Sequence, residues 1–164
     1  MPISREELES FYSEIEVKIF NFALRWTWNP GLAEDLVQES FVRIWRHRDE
    51  VDPSHVKSLL YKTVQNLALN QRRRQKLADA IPVIGWFMPT EYQTLEQDFI
   101  QKENLRELQA ALDSMPLDLR ETLLMCQFSD MSYSEIAVAL GISIGTVGSR
   151  RNRALEFLKE NMKG

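Results

Sequence analysis

The stretch Ser132–Leu158, SYSEIAVALGISIGTVGSRRNRALEFL, restricts this chain more than any other. Ser132 and Glu135 have the Ser-x-x-Glu spacing of a capping box, in which each side chain satisfies a free backbone N–H at the start of a helix. Ile136, Ala137 and Leu140 then recur on one helical face. Gly141 follows where a helix closes most easily on a left-handed residue without a Cβ penalty. Ser143 stands where a second helix, running through Thr146 to Leu158, needs an N-cap. Small Ala137 and apolar Val147 let the two helices cross closely. The pattern is a helix-turn-helix, whose second helix is suited to a DNA major groove. Its outward face carries Thr146, Ser149, Arg150, Asn152 and Arg153, with the hydroxyl, amide and guanidinium groups that reach phosphates and base edges. On an ordinary bundle the same residues would form only surface ion pairs, so this segment alone leaves both readings open.

A net charge of −4 over 164 residues argues at first against a nucleic-acid partner. The charge, however, is laid out in blocks. Residues 1–41 hold 3 basic and 8 acidic side chains, 42–76 hold 9 and 3, 77–141 hold 3 and 11, and 142–164 hold 5 and 2. Local charge sets attraction to a phosphate backbone, so the two basic blocks are expected to face DNA and the two acidic blocks something else. A composition of 44% hydrophobic and 27% charged residues is globular, with length for one domain or two small ones. No signal-peptide pattern and no membrane-spanning apolar run is present, which predicts a cytoplasmic protein without membrane insertion. Cys126 is the single cysteine, so an internal disulfide is excluded. Its neighbours Leu123, Leu124, Met125 and Phe128 predict a buried structural thiol. His47 and His55 have no metal-ligand spacing with it, and neither metal nor cofactor is expected.

Taken in order, the chain reads as helices. Ser4 and Glu7 form a second capping box, followed at helical spacing by Leu8, Phe11, Tyr12, Ile15, Ile19, Phe22 and Trp26. Asn29-Pro30 is an N-cap and first helical residue. The helix it opens has Leu32, Ala33, Leu36, Val37, Phe41, Ile44 and Trp45 as its apolar positions, and Asp35, Gln38 and Glu39 together on the opposite face. Residues 47–54 form a polar loop in which Asp52 or Ser54 caps the next helix. That helix has the stripe Val56, Leu59, Leu60, Val64, Leu67 and Ala68, and displays Lys57, Lys62, Asn66, Asn70 and a basic run containing Arg73 and Arg74. Pro82, Gly85 and Pro89 break the pattern in a linker that is unusually apolar, with Ile81, Val83, Ile84, Trp86, Phe87 and Met88. These residues are expected either to dock between the domains or to extend the core of one. A helix resumes near Thr94 and ends at Pro116, and a short helix with Leu119, Leu123, Leu124 and Phe128 leads into the helix-turn-helix. The fold class is all-α, with two small helical domains, 1–76 and 94–164, joined by a flexible linker at 77–93.

With these motifs in place, nearly the whole chain resembles a bacterial RNA polymerase sigma factor of the extracytoplasmic-function (ECF) type, built from only the second and fourth regions of the larger family. Ala33–Trp45, AEDLVQESFVRIW, is similar to the family's core-binding helix. The resemblance implies that Asp35, Gln38 and Glu39, with Arg43 and Trp45, meet the clamp helices of the largest subunit of core RNA polymerase. Leu60–Asn66, LYKTVQN, resembles the helix that reads the minus-ten promoter element. It implies base contacts from Asn66 and Asn70, phosphate attraction from Lys57, Lys62, Arg73 and Arg74, and capture of a flipped base by the loop 49–55. Met115–Phe128 and the helix-turn-helix resemble the domain that binds the minus-35 element of promoter DNA, through Thr146, Ser149, Arg150, Arg151, Asn152 and Arg153. The family usually has a basic residue at Gly148 and an apolar one at Arg151. Arg151, four residues after Val147, is placed either to reach a phosphate or to cover apolar surface with its stem. An anti-sigma factor is a further implied partner, and no catalytic centre is expected. The alternative reading is a free-standing, dimeric helix-turn-helix regulator that ignores polymerase.

Overall fold

The structure, a computed structural model, describes the backbone of residues 3–74 and 102–162, with side chains over 3–71 and 105–162. The expected linker at 77–93, its apolar run and the helix start near Thr94 lie outside the described residues. Among those residues every regular element is helical: α1 (Arg5–Thr27), α2 (Pro30–Arg46), a 3-10 turn (Pro53–His55), α3 (Val56–Arg74), α4 (Lys102–Ser114), α5 (Leu117–Phe128), α6 (Tyr133–Leu140) and α7 (Ile144–Asn161).

Local chemistry sets the helix ends. The Ser4 hydroxyl accepts from the Glu7 N–H at 3.1 Å while the Glu7 carboxylate accepts from the Ser4 N–H at 2.8 Å. Ser132 and Glu135 repeat the arrangement at 3.1 and 2.9 Å. Asn29 caps α2 through the Leu32 N–H with Pro30 behind it, and Asp52, not Ser54, caps the turn before α3. Gly141 closes α6 at φ 67° and Ser143 caps α7, giving the helix-turn-helix its tight corner. α1 ends less predictably. Trp28 has φ 53°, a conformation costly for a bulky residue. Its ring is buried, and its N–H donates to the Leu24 carbonyl at 2.7 Å.

α1, α2 and α3 pack on one another around Ile15, Ile19, Phe22, Leu36, Leu60 and Val64, all buried. α4 to α7 enclose Leu112, Leu124, Met125, Ile136, Val147 and Ala154. The two groups are not separate bodies. α1 lies against α5 and α3 against α6, so one buried apolar cluster runs through both. Trp26 and Trp28 are fully buried at this seam, as is Arg25. The Arg120 guanidinium of α5 stacks on the Trp26 ring at 4.5 Å, and Arg25 lies 5.1 Å from the Trp28 ring and 5.2 Å from that of Phe128. One core expectation is corrected: Leu59 is 38% exposed, because it opens onto a groove beside the seam instead of facing α1 and α2.

Candidate nucleic-acid and polymerase interfaces

α2 divides cleanly. Ala33, Leu36, Val37, Phe41 and Ile44 are buried, and the Tyr12 ring of α1 meets Phe41 edge-on at 4.7 Å, which fixes the rotation of the helix. Burial, aided by Glu16 and Glu34, pushes the Tyr12 phenol pKa up. Opposite that face, Asp35, Gln38, Glu39 and Arg43 are exposed together. Among the described residues, Arg43 pairs with Glu39 at 3.4 Å and Gln38 with Glu34 at 3.5 Å, both within the helix. Trp45 is half-buried and covered by the Arg48 guanidinium, 4.1 Å from its ring centre. It therefore borders the acidic-amide face without joining it.

On α3 the expected nucleic-acid residues separate into two sets. Lys62, Asn66 and Asn70 follow a four-residue spacing and share one stripe. Asn66 and Asn70 are exposed, and Arg73 and Arg74 end the helix with side chains outside the described set. Lys57 and Lys62 are already engaged. Lys57 Nζ lies 3.5 Å from an Asp130 oxygen and 3.9 Å from a Glu135 oxygen, and Lys62 Nζ lies 3.6 Å from Glu121. These contacts come from α5, from α6 and from the loop between them. The loop expected to capture a base lines a groove of about 360 Å³ with Glu50, Val51, Asp52 and His55 on one side and Val138 and Ala139 of α6 on the other. Two hydrogen bonds from Ser54, one from its backbone and one from its hydroxyl, hold the Asp52 carboxyl below the usual range.

On α7, Thr146 is three and four residues before Ser149 and Arg150, and Arg153 is four and three residues after them, so the four share one face. Ser149, Asn152 and Arg153 are exposed and Arg150 half-exposed. The Thr146 hydroxyl is 2.8 Å from the capping Ser143 hydroxyl, and Ser149 donates to the Thr146 carbonyl at 3.2 Å, so both hydroxyls also serve the helix end. Arg151 does not join this set. It is half-buried on the side that carries buried Val147 and Ala154, where its charge bears on Cys126. Gly148 lies under Tyr133, whose ring would sit 3.7 Å from an added Cβ.

Against known proteins, the family description Sigma-70 region 2 matches residues 11–78 and Sigma-70, region 4 matches residues 105–158. The chain is 33% identical over 137 residues to the ECF RNA polymerase sigma factor EcfG of Rhodopseudomonas palustris, covering 81% of this chain and 72% of that one. This chain is an ECF sigma factor. It is also 34% identical over 145 residues to the sigma factor SigE of Mycolicibacterium smegmatis, across 87% of this chain but only 56% of SigE. In three dimensions it is similar to the sigma factor RpoE of Bartonella quintana, solved with the anti-sigma factor NepR, at a TM-score of 0.64 and 27% identity, covering 93% and 96% of the two chains. CnrH, solved with the cytosolic domain of CnrY, has the same fold at a TM-score of 0.69 and 20% identity, covering 96% and 88%. As a member of this family the chain is a transcription initiation factor.

Sequence reasoning left several of the sigma factor's seam residues without a role. Glu121, Asp130 and Glu135 meet α3, Arg25 and Arg120 meet aromatic rings, and Gln65 donates to Glu121 at 2.7 Å. The signal available was the acidic block 77–141 following the basic block 42–76. Cys126 is half-buried, not fully buried. Burial pushes its thiol pKa up and the nearby Arg151 partly offsets that. Among the described residues no three His, Cys, Asp or Glu side chains are grouped to hold a metal, and no helix is long and apolar enough to cross a membrane.

Proposed function

We propose that this sigma factor docks core RNA polymerase through the Asp35, Gln38, Glu39 and Arg43 face of α2, with Trp45 at its border. α3 then engages the minus-ten element and α7 the minus-35 element. The observation that carries this is the clean division of α2. A helix locked by a buried apolar face, with carboxylate, amide and guanidinium groups exposed on the other, is a preorganised docking surface. On α3, Asn66 and Asn70 supply the amides that pair with the edges of unstacked bases, and Lys57, Lys62, Arg73 and Arg74 supply salt-dependent phosphate attraction. On α7, Arg150 and Arg153 are the groups for base edges, with Thr146, Ser149 and Asn152 beside them and Arg151 holding the helix in place. The working units are residues 1–76 and 94–164, joined by 77–93. The protein acts in the cytoplasm, where polymerase supplies the bond-forming chemistry, and an anti-sigma factor, as in the complex of RpoE with NepR, is a second partner.

Run-off transcription with core polymerase on genomic fragments tests this reading. The chain is expected to give discrete transcripts that Asp35→Ala with Gln38→Ala abolishes. Binding of promoter duplex by the isolated chain, with no effect on polymerase, would support the free-standing regulator instead.

A further inference from the structure

Ile144 is the first residue of α7 and, at 55%, the most exposed large apolar side chain among the described residues. A lone exposed aliphatic is ordinary on a protein surface, but the neighbours of this one give it a role. The Ser143 hydroxyl accepts from the Thr146 N–H and the Ser143 carbonyl from the Val147 N–H, both at 3.1 Å, so the first turn of the helix is held. Val147 and Ala154 are fully buried and fix its rotation. Gly145, Ser149 and Asn152 are then exposed in a row at three- and four-residue spacing, and Ile144 stands at its head. A helical side chain leans toward the N-terminus and covers the turn before it. One turn after Ile144 stands Gly148, which has no side chain to lean. The Tyr133 ring, 40% exposed, borders the same strip. Gly145 is required by nothing inside the fold. Its φ is not positive, and an added Cβ would meet only the Ser143 hydroxyl, at 4.0 Å. Glycine lowers the stability of a helix, and one that neither backbone nor packing requires fits a place where another molecule comes close.

We infer that Ile144 selects a thymine in the upstream element by packing on the 5-methyl group of the base. The inference rests on α7 entering the major groove, as in the proposed function. The first residues of a recognition helix are those that reach base edges. Thymine is the base that presents a methyl group in that groove. Ile144 neither donates nor accepts a hydrogen bond, so against a cytosine amino group or a guanine carbonyl it would leave a polar group unpaired. Ser149 and Asn152, in the row behind it, supply the polar contacts that an aliphatic side chain cannot.

Holoenzyme made from the full chain and core polymerase enriches binders from a randomised duplex library. In the enriched upstream block each thymine is replaced in turn by deoxyuridine, which removes only the 5-methyl group, and affinity is read by fluorescence anisotropy. One thymine is expected at which the replacement weakens binding about fourfold, the worth of one methyl group taken out of water. Holoenzyme carrying Ile144→Ser should bind the two duplexes equally. Leu155→Ser, which removes another exposed aliphatic side chain further along α7, should keep the difference. Because Ile144 is so exposed, its replacement should leave the melting temperature almost unchanged. An upstream block indifferent to uracil throughout, or a difference that survives in Ile144→Ser, would overturn the inference and leave the minus-35 reading standing. Enrichment of no upstream block would sink that reading, and the inference with it.

Discussion

α2 and α3 are neighbours in one helical unit, and the structure treats their polar faces in opposite ways. On α2, Arg43 and Glu39 pair within the helix at 3.4 Å, both about half-exposed. Pairs of that kind contribute only about 0.3–0.5 kcal/mol, so an incoming protein displaces little. On α3, Lys57 and Lys62 are bound across the seam by three carboxylates from another unit. The α2 face is therefore open, whereas that of α3 is open at Asn66 and Asn70 and held at Lys57 and Lys62. The difference lies in what each helix packs against. Among the described residues α2 packs chiefly on α1 and α3, whereas α3 also touches α6.

The comparison can be broken most severely at the apolar anchor. Trp26 is fully buried under Arg120, and Trp26→Ala should cost about 3–5 kcal/mol in chemical denaturation. A cost below about 1 kcal/mol would mean that the seam packs too loosely to keep α3 occupied. The open face comes next. Asp35→Ala with Gln38→Ala should weaken core polymerase binding about tenfold or more, as removal of a central contact does. Its melting temperature should barely move, because both side chains are exposed. Equal core affinity would move the docking surface elsewhere. A smaller effect is expected on α7. Gly148→Ala adds a Cβ at ordinary contact distance from Tyr133, at 3.7 Å, and should stabilise the chain by roughly 0.5–1 kcal/mol without changing the seam. Loss of stability would show that Tyr133 cannot yield. The smallest change concerns Cys126, whose raised pKa comes from burial and is partly offset by Arg151. Reaction with a disulfide reagent near pH 8 should be slower than for a free thiol, because less thiolate is present. It should slow further in Arg151→Ala, and an acceleration there would mean that Arg151 shields the sulfur sterically.

The elements that local chemistry decides could be read before the fold. The Ser4–Glu7 and Ser132–Glu135 boxes, the Asn29-Pro30 start and the Gly141 corner each depend on a few adjacent residues, and the structure has each of them. The exposed set Asp35, Gln38 and Glu39 was legible for the same reason, since helical spacing alone puts those side chains together. What could not be read depends on contacts distant in sequence. Lys57 meets Asp130 and Ser58 meets Glu135 across more than seventy residues, and no periodicity in either helix encodes the other. The block pattern of charge announced that basic and acidic surfaces exist, but not that they meet. Leu59 was assigned to the core because it falls at the edge of an apolar stripe, where a small rotation of the helix decides exposure. The nearness of Arg151 to Cys126 likewise depends on packing between helices distant in sequence.

The account turns on the two units being closed in the free chain and parted when the sigma factor works. Fluorescence transfer between labels at Glu14→Cys on α1 and Asn161→Cys on α7, in a Cys126→Ser background, measures that separation in each state. High transfer is expected for the free chain, and a marked fall once core polymerase and promoter DNA are both bound. Transfer that stays high in a complex actively making transcripts would contradict the account, because α3 would then be working with its lysines still held by Glu121, Asp130 and Glu135.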